Sequence, residues 1–460
     1  MPSPIKDSDP LVADEESFYT ADRRVGTVLG SMSLTATQVS AGTMIGTIGI
    51  HYTVGIGFAL VWVGIWLGWL FSMFFIAPQL REAGGFTIAN FLAERFGTGD
   101  GHIRGLAAVF IALIYLVYTT AQYVAGGILL EAVFGLDQFL GVVLVAALAL
   151  SYTVLGGMLF SVYSDAIQVL TLLVGLVTAT TVAVCDVGGV GQLTDSVAAI
   201  DQQLVSLTGA PALTLGLALS FGFGIAIAPF EMSRVYAMRD PETVRRAIPL
   251  SIGIQSIIAV CIATIGLVAR LRFPGLDNPD MAVVKLSLDL FGPLVGGLLL
   301  LAVVAGILST VDSVLLVSSA AISHDLFKKA FPAAGLADPF SDEQGVATIT
   351  RLVTVAAAVI PVGFTLFSGY LGGLIQLIVA LYTSLLAGTL FAPVLAGLYW
   401  TEATKSGVIS GMGAGIVAVL CWQLLRATES LGDPLVSVDP VVPGLLVSVL
   451  AIAVVSWVDL

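Results

Sequence analysis

The stretch Phe221-Gly222-Phe223-Gly224-Ile225-Ala226-Ile227-Ala228-Pro229 sits inside an apolar run long enough to cross a membrane. Glycine loosens a helix, and proline removes a backbone donor and breaks the hydrogen-bond ladder. Irregular backbone at membrane depth is tolerated only where it is buried in protein or lines a cavity. An earlier run has the same character: Thr35, Thr37, Gln38, Ser40, Gly42, Thr43, Gly46, Thr47 and Gly49 crowd its middle. Counted along the chain, these are spans 1 and 6. They lie five helices apart, and five is odd, so the second set of five starts from the opposite side of the membrane. Interrupted helices at matching positions of two inverted halves mark the binding site of many secondary transporters.

The rest of the chain supports that count. It has 460 residues, 57% apolar and 11% charged, against roughly 25% charged in a soluble domain. A membrane-spanning helix needs about 20 apolar residues. Twelve such spans are expected, near 25–50, 54–79, 105–132, 136–155, 158–185, 213–235, 245–269, 290–323, 347–368, 370–400, 405–426 and 439–458. With the N-terminus inside, 14 of the 18 Lys and Arg residues fall on inner segments and 4 on outer loops, as the positive-inside rule requires. Both termini are therefore expected in the cytoplasm. The net charge is −13, with acids such as Asp7, Asp9, Asp14, Glu15 and Glu16 at the ends and in loops. This suits a salt-loving prokaryote, since acidic surfaces stay hydrated at high salt; an ordinary acidic membrane protein is the other reading.

Ser309-Thr310-Val311-Asp312-Ser313 is the most informative polar knot. No charge lies between Asp289 and Asp312, and polar groups at that depth normally face a cavity or an ion path. A lone Ser or Thr in a helix often bonds back to the carbonyl four residues earlier. Adjacent Ser309 and Thr310 beside Gly306 are harder to explain that way, and a dehydrated Na⁺ wants several oxygens. Asp165 is a second intramembrane acid, either a carboxylate that attracts a cation or an interfacial acid in contact with water. Tyr115, Tyr118 and Gln122 share helical spacing on span 3, and Gln376 and Tyr382 lie on span 10; each is either a solute contact or a packing residue. Trp62, Trp66 and Trp69 form a stripe expected to face lipid, and Gly407, Gly411 and Gly415 a small-residue packing face. Cys185, Cys261 and Cys421 give no disulfide framework or metal spacing. There is no phosphate-cradling Gly-rich loop ending in Lys-Ser or Lys-Thr, no nucleophile triad and no basic patch for nucleic acid. An enzyme is not expected, nor is an obligate protein partner; lipid and a small solute are.

Five segments together resemble the sodium:solute symporter family, over about residues 14–425. They are Ser17 to Arg23 leading into Ser33 to Thr43; Tyr152 to Gly157 through Tyr163 to Gln168; Gly222-Phe223-Gly224 through Pro229 to Arg234; Leu308 to Ser313 followed by Ser318 to Asp325; and Thr404 to Gly407. The resemblance implies an all-α, leucine-transporter-like fold of about 12 helices, with a 5+5 inverted repeat and two peripheral C-terminal helices. It implies Na⁺-driven uptake of a small organic solute, such as an amino acid, carboxylate or sugar, by alternating access. It places the Na⁺ ligands on the carbonyls of Ala36, Val39 and Gly306 and the hydroxyls of Ser309 and Thr310, with Asp165 accessory. The proline-type solute site falls on Phe221, Ile225 and Pro229, where Ile225 replaces an aromatic residue of that pattern. Gln38 stands where some relatives have an acid or another amide. Gln38, Thr43, Tyr118, Gln122 and Gln376 complete the expected solute contacts. Most members have a further helix before the core, and this chain begins where the loop after that helix would. The expected organisation is a cytoplasmic segment 1–22, a first repeat 23–185, an outer loop 186–212, a second repeat 213–400 and two added helices in 401–460. The rival readings are a Na⁺-independent facilitator or exchanger and a transporter-like solute sensor.

Overall fold

The computed structural model describes residues 19–83, 85–97, 101–335, 343–368 and 373–459, with side chains at all of these except 152–156 and 343–349. Most of the N-terminal segment 1–22, the motif residues Ser17 and Phe18, and the side chains of Tyr152 to Gly156 lie outside the described residues. Among the described residues there is no strand, only one isolated bridge between Val25 and Met238.

Each expected span has its helix. They are α1 (Thr27–Gln38, then 42–54), α2 (59–82), α3 (His102–Phe134), α4 (Gln138–Ser151), α5 (Gly157–Val187), α6 (Pro211–Ala226, then Pro229–Ala237), α7 (Pro241–Arg272), α8 (Pro293–Ala333), α9 (Glu343–Phe364), α10 (Ile375–Tyr399), α11 (Lys405–Ala427) and α12 (Val441–Asp459). Local sequence sets where they start. Asp137, Asp240 and Thr404 accept backbone N–H groups from the first turns of α4, α7 and α11, and proline opens both halves of α6 as well as α7 and α8, the arrangement that satisfies orphan donors at a helix start. Gly157, at φ +58°, separates α4 from α5.

Three polar segments hold more helix than expected. Ile88–Phe96 and Val190–Ile200 are short helices in loops, and α8 runs on as a wider helix through Ala320–Ala330.

The two interrupted spans are real breaks. α1 leaves helical geometry at Val39 (φ −82°, ψ 93°). α6 bends by 41° between Ala226 and Pro229. The motif glycines act beside that break more than at it. Gly222 meets the backbone of Gly64 in α2, and Gly64 and Gly68 lie against the carbonyls of Ala218 and Gly222. Missing side chains thus let α2 and the outer half of α6 cross backbone to backbone. Gly407 and Gly411 seat α11 on Ile452 of α12, and Gly415 seats it on Gly388 of α10, so this stripe is a packing face. α10 itself is almost wholly buried.

The tryptophan stripe of α2 does not face lipid. Trp62 and Trp69 are buried, and Trp66 donates to Gln255 Oε1 of α7 at 3.2 Å. Hydropathy scores a tryptophan the same against lipid and against a neighbouring helix, so the sequence pattern carried no such distinction.

Candidate ion and solute site

The break in α1 strips its last helical carbonyls of their usual donors. The N–H of Ser40 turns to Thr43 Oγ1 (3.3 Å), and that of Ala41 to Gln122 Oε1 (2.9 Å). The carbonyls are taken up from α8 instead. Ser309 Oγ donates to Ala36 O at 3.0 Å and to Gly306 O at 3.1 Å; Thr310 Oγ1 donates to Thr37 O at 3.3 Å. A methyl group on Gly306 would stand 3.1 Å from Val39 O, so a glycine there brings that fourth backbone carbonyl close. The oxygens of Ala36, Val39, Gly306, Ser309 and Thr310 are therefore gathered in one buried place, all neutral. Among the described residues no cluster of three or more His, Cys, Asp or Glu side chains is present. Carbonyls and hydroxyls without thiolate, imidazole or carboxylate suit a monovalent alkali cation better than a transition metal.

Beneath this cradle lies an ion pair. Asp165 on α5 is fully buried; its Oδ2 accepts from Ser33 Oγ of α1 at 2.5 Å and from Arg234 Nη2 of α6 at 3.3 Å. The same Nη2 donates to Ser161 Oγ at 2.7 Å and to Ser313 Oγ at 2.6 Å, and Ser313 Oγ donates on to Ser309 O at 2.8 Å. Asp165 is thus connected to the oxygen cradle through Arg234, Ser313 and Ser309, and it is not an interfacial acid. Arg234, at the inner end of the expected span 213–235, belongs to the inner cations of the charge count; the structure shows it 1% exposed. The available signal was its place five residues beyond Pro229, inside the bent helix.

A cavity of about 10 Å³ lies between the outer half of α1, α2, α3, α6 and α10, room for about one water molecule. Of the expected solute contacts, Gln38, Thr43, Tyr118, Phe221, Ile225 and Gln376 line it; Gln122 and Pro229 do not. Gln122 is spent on the Ala41 N–H, and Pro229 borders a second cavity nearer the cytoplasmic end, with Met232 and Asp325. Tyr382, one of the span 10 candidates, is also in the wall, and Trp62 and Phe58 are wall residues the sequence does not mark as such. Tyr382 stacks on Tyr118 with ring centroids 4.1 Å apart. Gln38 Oε1, Gln376 Oε1 and Trp62 Nε1 are buried without a protein partner. Among the described residues no Asp, Glu, Lys, Arg or His lines the cavity.

Both ends of the path are tied shut. On the outer side, Asp280 Oδ2 accepts the Ile375 N–H at the start of α10 (3.0 Å), and Tyr52 on α1 donates to Phe273 O (2.7 Å). Burial pushes the Asp280 carboxyl up to about 6, with the Ile375 N–H pulling the other way. On the inner side, Arg81 of α2 holds the carbonyls of Val235 (2.8 Å) and Arg239 (2.9 Å) just after the buried part of α6, and Asp325 of α8 accepts from Thr87 (3.0 Å).

The profile of the sodium:solute symporter family matches residues 18–415. A sodium/proline symporter of Staphylococcus aureus is 27% identical over 449 residues, covering 95% of this chain and 86% of that protein. Among solved structures, a substrate-bound, outward-open Na⁺-coupled sialic acid symporter superposes with a TM-score of 0.74 at 18% identity, covering 96% of this chain and 92% of that one. Mhp1, a nucleobase-cation-symport-1 family transporter in a closed conformation, gives 0.60 at 15% identity, covering 96% and 94%.

Proposed function

The chain belongs to the sodium:solute symporter family, and we propose that the solute it carries is a small molecule of zero net charge, held between the outer half of α1, the outer half of α6 and α10. It is a multi-pass membrane protein and a Na⁺-coupled symporter. The observation that carries the solute reading is the cavity wall without an ionised side chain. A net charge enclosed there would have no counter-ion, and buried charges are costly unless paired. A zwitterion or an uncharged polar molecule balances itself. The oxygens of Gln38 and Gln376 offer acceptors for its N–H or O–H groups, Trp62 Nε1 offers a donor, and the rings of Phe58, Tyr118 and Phe221 cover its apolar body. The S. aureus relative is a sodium/proline symporter, and proline is a zwitterion of this kind. Ile225 in place of an aromatic residue leaves a wider wall than the proline-type pattern.

The coupling Na⁺ enters as a second substrate. The oxygens of Ala36, Val39, Gly306, Ser309 and Thr310 are the ligands proposed for it, with Asp165 acting from a distance. When the ion arrives, the Ser309 and Thr310 hydrogens turn away from the α1 carbonyls, and both sets of oxygens face the cation. The ion then bridges α1 to α8 where hydroxyls now do. Residues 23–185 and 213–400 form the two inverted units of this reading, with both termini cytoplasmic on the charge asymmetry and the acidic surface that of a salt-adapted prokaryote. A neutral solute with one Na⁺ moves one charge per cycle, so the membrane potential adds about 2.3 kcal/mol per 100 mV.

The test is uptake into proteoliposomes with an inward Na⁺ gradient, using a panel of amino acids, carboxylates and sugars. Uptake of a net-neutral solute, stimulated by Na⁺ and by an inside-negative potential, is the expected result. Preference for a net anion, or uptake indifferent to Na⁺, overturns the reading.

A further inference from the structure

Glu231 has no part in the site described so far. It lies in the first turn of the inner half of α6, two residues after Pro229, and is 1% exposed. Its Oε2 accepts the indole N–H of Trp69 on α2, a residue equally buried. Its Oε1 has no hydrogen-bond partner. No cation lies within ion-pair distance of it among the described residues. Arg234, one turn on, is engaged with Ser161, Asp165 and Ser313, and Arg81 with the carbonyls of Val235 and Arg239. The titratable groups facing Glu231 from neighbouring helices are the phenols of Tyr115 and Tyr118 on α3 and Tyr382 on α10. None supplies positive charge. A carboxylate in such a place would be a buried charge with a single donor, whereas the protonated acid is neutral and keeps the Trp69 bond through its carbonyl oxygen.

Its position ties it to the solute cavity. The adjacent Phe230 gives its N–H to the Tyr115 hydroxyl at 2.7 Å, and its ring packs edge-on against Tyr118 and Tyr382, which line the cavity. Glu231 therefore stands directly behind the cavity wall, on the half-helix that follows the break.

We propose that Glu231 is a proton-binding site: the closed arrangement holds it as the neutral acid, and it gives up its proton when the inner half of α6 parts from α2. In that step the carboxyl O–H bond breaks, the proton passes to entering water and a hydrated carboxylate remains. Closing reverses the exchange. The consequence for Na⁺-driven transport is a pH dependence located in one residue outside the Na⁺ cradle. This rests on the symport reading for the movement of α6, but not for the protonation itself.

Two measurements test it. Infrared difference spectra of the purified full-length protein, wild type minus E231Q, read protonation directly. A protonated-carboxyl C=O band at neutral pH, lost in E231Q, is expected; no such difference band overturns the proposal. E231M, which removes the buried polar group altogether, serves the same comparison if E231Q does not fold. Na⁺-driven uptake across acid to alkaline pH is the second measurement. The wild type is expected to change rate with pH, and E231Q to remain Na⁺-dependent with that pH response lost. Identical pH profiles in the two proteins overturn the coupling of the proton to transport, while absence of Na⁺-stimulated uptake in the wild type counts against the symport reading and leaves the infrared result to decide the site.

Discussion

Removing one partner of the Arg234–Asp165 pair is expected to harm the protein more than removing both. At 3.3 Å the two charges attract by about 5 kcal/mol at an effective dielectric of about 20. Desolvating each ion costs several kcal/mol, so the intact pair contributes little net stability. Arg234→Met leaves the buried Asp165 carboxyl with Ser33 as its hydrogen-bond donor, to stay as an unpaired charge or take up a proton, at a cost of about 3–5 kcal/mol. Asp165→Asn is milder, because the guanidinium keeps Ser161 at 2.7 Å and Ser313 at 2.6 Å. The double variant removes both charges and is expected to recover most of the loss. Thermal unfolding in detergent should therefore rank the double variant above Asp165→Asn, and Asp165→Asn above Arg234→Met, with a coupling of roughly 3 kcal/mol between the two sites. Additive losses, or an Arg234→Met protein as stable as the wild type, would show that the two groups do not share one buried environment, and the link from Asp165 to the Na⁺ cradle would fall with it.

Three further outcomes follow from the same geometry. Ser309→Ala and Thr310→Ala should each raise the Na⁺ concentration for half-maximal uptake by about tenfold, roughly 1.4 kcal/mol per lost oxygen, while Ser151→Ala on the exposed face of α4 leaves it unchanged; a flat response in the cradle variants refutes the ligand assignment. Gly306→Ala places a methyl group 3.1 Å from Val39 O and 3.2 Å from Met44 Cγ, so it should weaken Na⁺ dependence in a protein that still folds, as read by uptake beside a melting curve. Asp280 has its carboxyl raised from 3.8 to about 6. The fold thus favours the uncharged acid, a contribution complete below about pH 4 and lost as pH rises towards 6, up to about 3 kcal/mol. The melting temperature of the wild type relative to Asp280→Asn should fall over that window, and a constant difference would refute the burial argument.

The fold was legible because apolar length and charge alternation are one-dimensional signals. A span of uncharged residues announces itself, and Pro229 announces a break without any knowledge of its neighbours. Ser309 and Thr310 stand out in the sequence for a related reason, as adjacent hydroxyls at membrane depth, and the structure brings both onto α1 carbonyls. What failed were judgements about which neighbour a side chain meets. Gln122 is polar at depth, as a solute contact would be, yet its oxygen caps Ala41. Trp69 reads as lipid-facing until Glu231 is placed opposite it. Arg234 obeys the positive-inside count while lying buried against Asp165. Each depends on a contact at least 69 residues away in sequence, which hydropathy does not encode.

The proposed Na⁺ site has charges close to its neutral oxygens. Asp165 and Asp312 are buried on α5 and α8, and each lies in the field of the other. Arg234 is the cation paired with Asp165. Both carboxylates thus lie close to the oxygens of the cradle, on the two helices that flank Arg234. A Na⁺ bound beside Ser309, as proposed, would sit in the field of both without touching either. In that proposed arrangement Asp312, one turn along α8 from Ser309, would act on the ion through its field. Neutralising it should weaken Na⁺ binding while the preference among solutes is kept. Asp312→Asn, assayed for Na⁺ half-saturation and for competition among solutes, separates the two: a changed solute ranking with unchanged Na⁺ dependence would place Asp312 in the solute path instead.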